Sequence, residues 1–158
     1  MKIWILYDTQ FGNGKKLAEF LGKELSDVDE IMSGDVKDIN PKSVADDKPE
    51  VLILGGAIRM FQGAKKSKKW LKKLNKELKN IEYKIKYSTA FLTHGLPTDK
   101  IQGFGKRLLK KLKKATMIDN VYSELLTARV EDTEGPIMSE EMKKSKEFIQ
   151  DFSNWIHN

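Results

Sequence analysis

Strand-like apolar stretches alternate about five times with segments of helical periodicity along this chain, and no other feature limits its fold as much. Continuous apolar runs such as Val51–Leu54 are typical of strands buried on both faces, as in parallel sheets. Such alternation requires right-handed crossovers, with helices on both faces of one sheet. We therefore predict an α/β fold in a single domain, 1–158. The predicted strands are 3–7, 28–32, 51–54, 86–93 and 121–130.

The helical segments carry apolar residues at the spacing of one buried face. The first helix is expected to end near Leu25, and a short helical piece follows the turn at Asn40-Pro41. Ser139 is predicted to be the N-cap of the last helix, which has acidic residues in its first turn. The inward residues predicted for the third, fourth and last helices are Trp70, Leu71, Leu74 and Leu78; Ile101, Phe104, Leu108, Leu109 and Leu112; and Met142, Phe148, Ile149, Phe152 and Ile156.

The composition excludes several kinds of chemistry. The chain has no cysteine, so it cannot form a disulfide, a thiolate nucleophile or an iron–sulfur cluster. No run approaches the ~20 apolar residues of a membrane span, and Met1-Lys2 leads directly into a strand instead of a signal peptide. We expect a soluble, cytoplasmic protein whose redox chemistry, if any, comes from an added organic cofactor. Glu131, Asp132 and Glu134 are interpreted as a solvated loop, and we predict neither a metal site nor a catalytic side chain.

The formal charge of +6, from 29 Lys and Arg against 23 Asp and Glu, is unevenly distributed. Segments 65–79 and 101–114 concentrate the cations, and in the expected fold both helices lie on the same face of the sheet. Such a surface can steer an acidic redox partner protein or bind an anionic membrane surface. Nucleic acid is disfavoured, because Trp70 and Phe104 are predicted to face the core. The alternative is that the lysines only solvate exposed helices.

A tight turn joins the first strand to the first helix, Tyr7-Asp8-Thr9-Gln10-Phe11-Gly12-Asn13-Gly14-Lys15-Lys16. Its backbone N–H groups and the positive end of the helix dipole form an anion site above the strand. The Walker pattern does not fit, since Thr9 stands at its first glycine and Lys16 at its Ser/Thr. The dinucleotide pattern is disfavoured, because its third glycine falls on Leu17. The turn therefore holds one terminal phosphate without a metal, or has glycines for backbone reasons alone.

This turn resembles the phosphate loop of flavodoxins, (T/S)-x-T-G-x-T, which binds the phosphate of flavin mononucleotide (FMN). Thr9 and Gly12 match the pattern, and Asn13 takes its free position. Phe11 and Gly14 depart from it, since flavodoxins usually have hydroxyls there, and each lost hydrogen bond to phosphate costs about 1.5–3 kcal/mol. The resemblance implies FMN as the cofactor, with its phosphate held by Thr9, Gln10, Phe11, Gly12, Asn13 and Gly14.

The flavodoxin-like strand order 2-1-3-4-5 suits five strands in one domain, as a doubly wound parallel sheet between two helical layers. A ligand then lies at the switch point, above the carboxyl ends of the first and third strands, beside loops 9–14, 57–63 and 94–99. By the resemblance, the second loop packs beside the flavin ring through Ala57, Ile58, Arg59, Met60, Phe61 and Gly63. The third supplies the polar edge of the ring through Thr93, His94 and Gly95.

Some of these side chains suggest particular roles. Met60 and Phe61 have the polarizable or flat groups that stack on a ring. Arg59 would favour an anionic reduced flavin or an anionic substrate. His94 would stabilise negative charge near flavin N1 and O2 if protonated, or cap the next helix. The alternative for segment 57–63 is that its apolar side chains only close the end of the sheet while the arginine is solvated.

We expect an FMN-binding electron-transfer protein, a carrier more than an enzyme. The run Gly56–Arg59 is similar to a loop of the flavodoxin-fold protoporphyrinogen oxidases. An FMN-dependent oxidoreductase of that kind, or of the quinone reductase kind, is therefore one alternative. A cofactor-free flavodoxin-fold module that acts through its basic face is another, supported by the missing hydroxyls at Phe11 and Gly14.

Overall fold

The computed structural model of the chain describes residues 1–25, 29–59 and 62–158. The strands are β1 (Lys2–Tyr7), β2 (Glu30–Asp35), β3 (Val51–Arg59), β4 (Gln62–Gly63), β5 (Ile85–His94), β6 (Ile118–Val121) and β7 (Leu126–Arg129). The α-helices are α1 (Asn13–Glu24), α2 (Pro41–Asp47), α3 (Lys65–Asn80), α4 (Gln102–Lys114) and α5 (Ser139–His157). A 3₁₀ turn, Thr98–Lys100, precedes α4.

The strands form one sheet in the order β2-β1-β3-β5-β6, and β7 also pairs with β5 beyond the end of β6. All these neighbours are parallel. The two-residue β4 instead folds back on the end of β3 as an antiparallel partner. Because β6 and β7 occupy one edge position, the order is the predicted 2-1-3-4-5. The prediction of a doubly wound parallel sheet is confirmed.

Helices cover both faces of the sheet, because the central strands are apolar on both faces. Helices α1 and α5 pack on one face through residues such as Leu21 and Phe152. Helices α2, α3 and α4 pack on the other face, with Leu74 and Leu112 in its core. None of the described helices combines the length and the apolar character that a membrane span needs. The predicted inward stripes are confirmed, with the exception of three residues that are only partly buried: Phe104, Met142 and Phe148.

Strand β3 is longer than predicted and runs through Gly55 and Gly56. The two glycines continue the strand, and neighbouring side chains occupy the space that a Cβ atom of either glycine would fill. A Cβ atom at Gly55 would collide with the ring of Phe91, and one at Gly56 would collide with Ala64. Segment 57–63, predicted as a loop, therefore belongs in part to the β3–β4 hairpin.

The last strand, predicted as one element over 121–130, consists of two pieces. Five positions separate Val121 from Leu126, whereas three separate their partners Ser88 and Phe91 on β5. The two additional residues cannot pair with β5 in register, so the edge bulges between β6 and β7.

Two side chains anchor this bulge to the two helical layers. The ring of Tyr122 lies 5.2 Å from that of Trp155 and 5.6 Å from that of Phe152, centroid to centroid, both on α5. On the opposite face, Leu125 fills the space beside Gly105 of α4, where a Cβ atom would collide with it. The bulge is thus a packed part of the edge.

The start of the last helix differs from the prediction, and the start of the second predicted strand falls outside the described residues. Helix α5 begins at Ser139, so its N-cap is Met138, and the Met138 carbonyl accepts a hydrogen bond from the N–H of Glu141 at 2.9 Å. Ser139 is therefore the first helical residue and not the cap. Of the predicted strand 28–32, Val28 lies outside the described residues.

Candidate functional site

A cavity of about 360 Å³ opens at the switch point, above the carboxyl ends of β1, β3 and β5. Its size lies in the range of small-molecule sites, about 300–1,000 Å³. The cavity is lined by ten residues predicted to bind a cofactor: Thr9, Gln10, Phe11, Asn13, Gly14, Ala57, Ile58, Thr93, His94 and Gly95. Leu96, which belongs to the predicted loop 94–99, also lines the cavity, and two lining residues were missed by the sequence analysis: Val130 and Thr133. The three predicted loops therefore converge on one cavity.

Other predicted residues of segment 57–63 either lie away from the cavity or fall outside the described residues. Gly63 faces α4, where a Cβ atom would lie 2.7 Å from Phe104 Cδ1. The backbone of Arg59 ends β3. Met60 and Phe61 lie outside the described residues, so their predicted stacking on a flavin ring stays a prediction.

The turn between β1 and α1 forms one wall of the cavity. The Thr9 hydroxyl oxygen accepts a hydrogen bond from the Gly12 N–H at 2.9 Å. Gly12 has φ +89°, a left-handed conformation that favours glycine. The Gly12 N–H predicted to bind phosphate is thus engaged within the turn. The Thr9 hydroxyl still has its own proton to donate to a ligand.

The start of α1 presents backbone donors to the cavity. The helix begins at Asn13, and no side chain caps this end among the described residues. The first N–H groups of a helix have no acceptor within the helix. Because Asn13 and Gly14 line the cavity, their N–H groups and the helix dipole provide the environment that an anion requires.

A cation that the sequence analysis missed lies at the same turn. Lys37 Nζ donates a hydrogen bond to the Thr9 carbonyl oxygen at 2.6 Å and lies 3.4 Å from Asp35 Oδ2. No local pattern marks Lys37, since it follows β2 and reaches the turn only because β2 pairs with β1. It ties the turn to the end of β2, and Asp35 offsets its charge.

The two departures from the flavodoxin pattern have different structural causes. A Cβ atom at Gly14 would lie 3.1 Å from the Asp8 carbonyl oxygen and 3.3 Å from Thr9 Cβ. A threonine would therefore crowd the turn at this position. Phe11 is 43% exposed and is the one large apolar side chain that is exposed among the described residues. Position 11 thus has room for other side chains, whereas position 14 favours glycine.

His94 is buried in the cavity wall as a neutral imidazole. Its Nδ1 lies 2.7 Å from the Leu96 carbonyl oxygen, and since a carbonyl only accepts, Nδ1 carries the proton. Burial lowers the pKa of His94, an effect that Leu96 and Glu141 partly oppose. Nε2 is then a bare acceptor, with no partner among the described residues. This geometry disfavours the protonated role, and His94 does not cap α4, whose N-cap is Ile101.

A second buried acceptor lies in the same wall. Asn13 is 7% exposed, and its Oδ1 has no hydrogen-bond partner among the described residues. The loop between β7 and α5 covers the Asn13 side chain. Gly135 of this loop has φ +99°, and a Cβ atom there would collide with the Asn13 side chain. A buried acceptor without a donor costs about 1–3 kcal/mol. Asn13 and His94 therefore suit a ligand that brings N–H or O–H donors.

Comparison with known proteins shows which fold this is. Neither a protein-family model nor a curated protein matches the chain, but 136 solved chains match its structure. A flavodoxin from the domain Archaea superposes with a TM-score of 0.71 at 14% identity over 100% of both chains. Flavodoxin 1 from Bacillus cereus gives 0.72 at 17% identity over 98% of both. Rubredoxin oxygen:oxidoreductase from Desulfovibrio gigas gives 0.75 at 14% identity, over 99% of this chain and 36% of its own.

The chain therefore has a flavodoxin-like fold, as its resemblance to flavodoxins predicted. At 14 to 17% identity these similarities concern the fold alone, and one fold can carry many functions. Within the described ranges, no cluster of three His, Asp or Glu side chains could hold a metal ion. The function has to be argued from the cavity.

Proposed function

We propose that the chain binds one FMN in the cavity above β1 and β3 and carries electrons. The supporting observation is that two kinds of polar group meet there. The uncapped start of α1 and the Thr9 hydroxyl suit a phosphate. The buried acceptors Asn13 Oδ1 and His94 Nε2 require donors, which a fully ionised phosphate lacks. The hydroxyls and ring N–H of a flavin nucleotide would supply them.

Each residue has a distinct part in this proposal. The Thr9 hydroxyl and the N–H groups of Asn13 and Gly14 hold the phosphate, and Lys37 stabilises the turn through the Thr9 carbonyl. His94 accepts a hydrogen bond from a donor group of the cofactor. Bound FMN supplies the electron-transfer chemistry. The chain's own contribution is to bind the cofactor, to orient it and to limit water around it.

Titration of the purified protein with FMN, followed by the loss of flavin fluorescence, tests the proposal. Riboflavin, which lacks the phosphate, is the control. We expect tight binding of FMN and binding of riboflavin that is weaker by at least about tenfold, as expected from the loss of one or more charge-assisted hydrogen bonds. Equal affinity for the two would argue against phosphate binding at the turn. Absence of binding to both would favour the cofactor-free module.

A second experiment separates a carrier from an enzyme. The FMN-loaded protein would be reduced photochemically and mixed with ferricyanide. Separately, the oxidised protein would be incubated with NADPH as donor and a quinone as acceptor, and with a porphyrinogen as donor and a quinone as acceptor. A carrier should pass its electrons stoichiometrically to ferricyanide and should not increase the turnover of either small substrate above that of free FMN. Catalytic turnover of the quinone or the porphyrinogen would instead support the oxidoreductase alternative.

A further inference from the structure

A second concave surface lies between α3 and α4 and encloses about 720 Å³. Its lining comes from segments 63–75 and 104–115, and we call it the basic groove. Seven lining residues are cations, four from α3 and three from α4, and they include Lys68, Arg107 and Lys111. The two lysine-rich helices were predicted to lie on one face of the sheet, and they do. The surface between them is concave.

Among the described residues, the cations of the basic groove have no acidic counterparts. Within the same part of the chain, no acidic side chain lines the groove, and no ion pair includes a cation of the groove. Burial lowers the pKa of Lys68, and the charges of Arg107 and Lys111 lower it further. The groove therefore concentrates positive charge that an anionic occupant would neutralise.

Apolar side chains lie among the cations of the groove. Leu71, which is 3% exposed, contributes to the lining, as do the half-buried Phe104 and Ala115. The Arg107 guanidinium lies 5.5 Å from the centroid of the Phe104 ring. A site with an apolar lining and a cationic rim suits an occupant that has both apolar and acidic groups.

The groove also lies next to the proposed cofactor cavity. Gly63 lines the groove and Ile58 lines the cavity, and these two residues pair across the β3–β4 hairpin. Neighbouring strands lie about 4.7–4.9 Å apart. An occupant of the groove is therefore separated from the cavity wall by little more than one strand.

We propose that the basic groove docks an acidic, amphipathic segment of another protein. Its carboxylates would pair with the cations of α3 and α4, and its apolar side chains would contact Leu71 and Phe104. The neighbouring cavity suggests that this protein is the redox partner. That identification rests on the proposed electron-transfer function, whereas the docking itself does not.

Two other polyanions fit the groove less well. A membrane surface is flat and would not reach the lining of a groove, and the exposed apolar side chain Phe11 lies at the other cavity. Nucleic acid binds best where aromatic rings are free to stack on bases. Trp70 is only 4% exposed, and Phe104 packs against Gly63. The combination of concave shape and apolar lining favours a protein segment.

A fluorescein-labelled helical peptide with leucines on one face and glutamates on the others tests the proposal by fluorescence anisotropy. The groove variant is K68E/R107E/K111E. The matched control is K76E/K106E/K113E, which makes the same charge change on the same two helices at exposed positions outside the groove. We expect the groove variant to bind the peptide at least about tenfold more weakly and the control about two- to threefold more weakly. A peptide with alanines in place of the leucines should also lose affinity.

Equal weakening in the two variants would overturn the proposal, because charge alone would then explain binding. Absence of peptide binding to the unmodified protein would overturn it as well. Binding to phosphatidylserine vesicles or to duplex DNA would also overturn it, if that binding were tighter than peptide binding and were weakened more by the groove variant. FMN titration of the same variants keeps the two proposals separate, since both variants should bind FMN like the unmodified protein. Peptide binding without any FMN binding would refute electron transfer and leave the docking site standing.

Discussion

At the scale of single residues, His94 is the side chain whose chemistry depends most on its surroundings. Its Nδ1–H donates to the Leu96 carbonyl, and burial keeps the ring neutral. The sequence indicates a histidine after a strand, but it cannot indicate this tautomer. That requires the position of the Leu96 carbonyl and the depth of burial, both of which are tertiary.

The titration of His94 should make stability depend on pH. Its pKa in the folded protein lies below the usual 6.5, so the unfolded chain binds the proton first as the pH falls. The contribution to the free energy of unfolding is therefore fully present above pH 6.5 and is lost as the pH falls below it toward the folded pKa, by at most about 1.4 kcal/mol per pH unit. Urea unfolding at a series of pH values measures this slope.

The control for this prediction is His94→Asn, whose amide can still donate to the Leu96 carbonyl but does not titrate. It should show a shallower loss of stability below pH 6.5 than the unmodified protein. Identical slopes in the two proteins would contradict the assignment of the titration to His94. The variant also lacks the Nε2 acceptor, so its affinity for FMN should fall.

Thr9 is expected to act through its hydroxyl group. Thr9→Val keeps the branched shape but removes both the acceptor for the Gly12 N–H and the donor for phosphate. We expect FMN to bind at least about tenfold more weakly, since a hydrogen bond to a charged group contributes about 1.5–3 kcal/mol. The control Thr9→Ser should stay within about threefold. Fluorescence titration measures both, and unchanged FMN affinity in the valine variant would exclude this role.

At the scale of elements, the pairing of β3 with β5 depends on a glycine that faces an aromatic ring. Gly55 pairs with Phe91 in the sheet, and the ring occupies the space where a Cβ atom of Gly55 would lie. The Phe91 ring of β5 therefore packs against the backbone of β3 near the cavity. From sequence alone, the pair Gly55-Gly56 indicates the end of a strand, because the ring that needs the space lies far along the chain.

Gly55→Ala should destabilise the fold by about 1–3 kcal/mol through overpacking. In the double variant with Phe91→Leu, the smaller side chain should accommodate the new methyl group, so the two costs should not add. The measurement is a double-mutant cycle of urea unfolding, with an expected coupling of about 1 kcal/mol or more. The control is Gly103→Ala on α4, where a Cβ atom meets nothing within 4 Å and a helical alanine should be neutral or stabilising. Strict additivity would contradict the packing argument.

The elements that the sequence predicts well are those with local signals. Helical spacing and apolar runs indicate the alternation of strands and helices, and thereby a parallel sheet, whereas the strand order was predicted from the flavodoxin-like arrangement. The features it misses depend on long-range contacts. Lys37 reaches Thr9 through the pairing of β1 and β2. Val130 and Thr133 reach the cavity only because β7 lies beside β5.

At the scale of the whole molecule, α3 and α4 differ in charge from the helices on the opposite face of the sheet. The sequence of α3 contains eight lysines and one acidic residue, Glu77, and that of α4 contains six cations and no acid. The opposite layer, formed by α1 and α5, mixes both signs. The free protein therefore bears a concentrated repulsion on one side.

Salt should relieve this repulsion and stabilise the protein. Between about 10 mM and 200 mM salt the Debye length falls from about 30 Å to below 10 Å, and we expect the melting temperature to rise by about 2–4 °C. The variant K68E/R107E/K111E should lose most of this response, and K76E/K106E/K113E should retain more of it, because Lys68 is the cation whose pKa its neighbours lower. Thermal unfolding followed by circular dichroism gives both values. A melting temperature that does not change with salt in the unmodified protein would be inconsistent with such repulsion.

The interrupted edge of the sheet has a consequence for how the chain behaves among its copies. An outer strand carries unpaired N–H and C=O groups that can recruit a strand from another molecule, and a long regular edge is the usual template for aggregation. Here the outer strand is divided into β6 and β7, each four residues long, with a bulge between them that is fastened to both helical layers. A foreign strand could follow this edge for only a few residues before losing register. The packing of the bulge thus limits the addition of a foreign strand along this edge of the sheet.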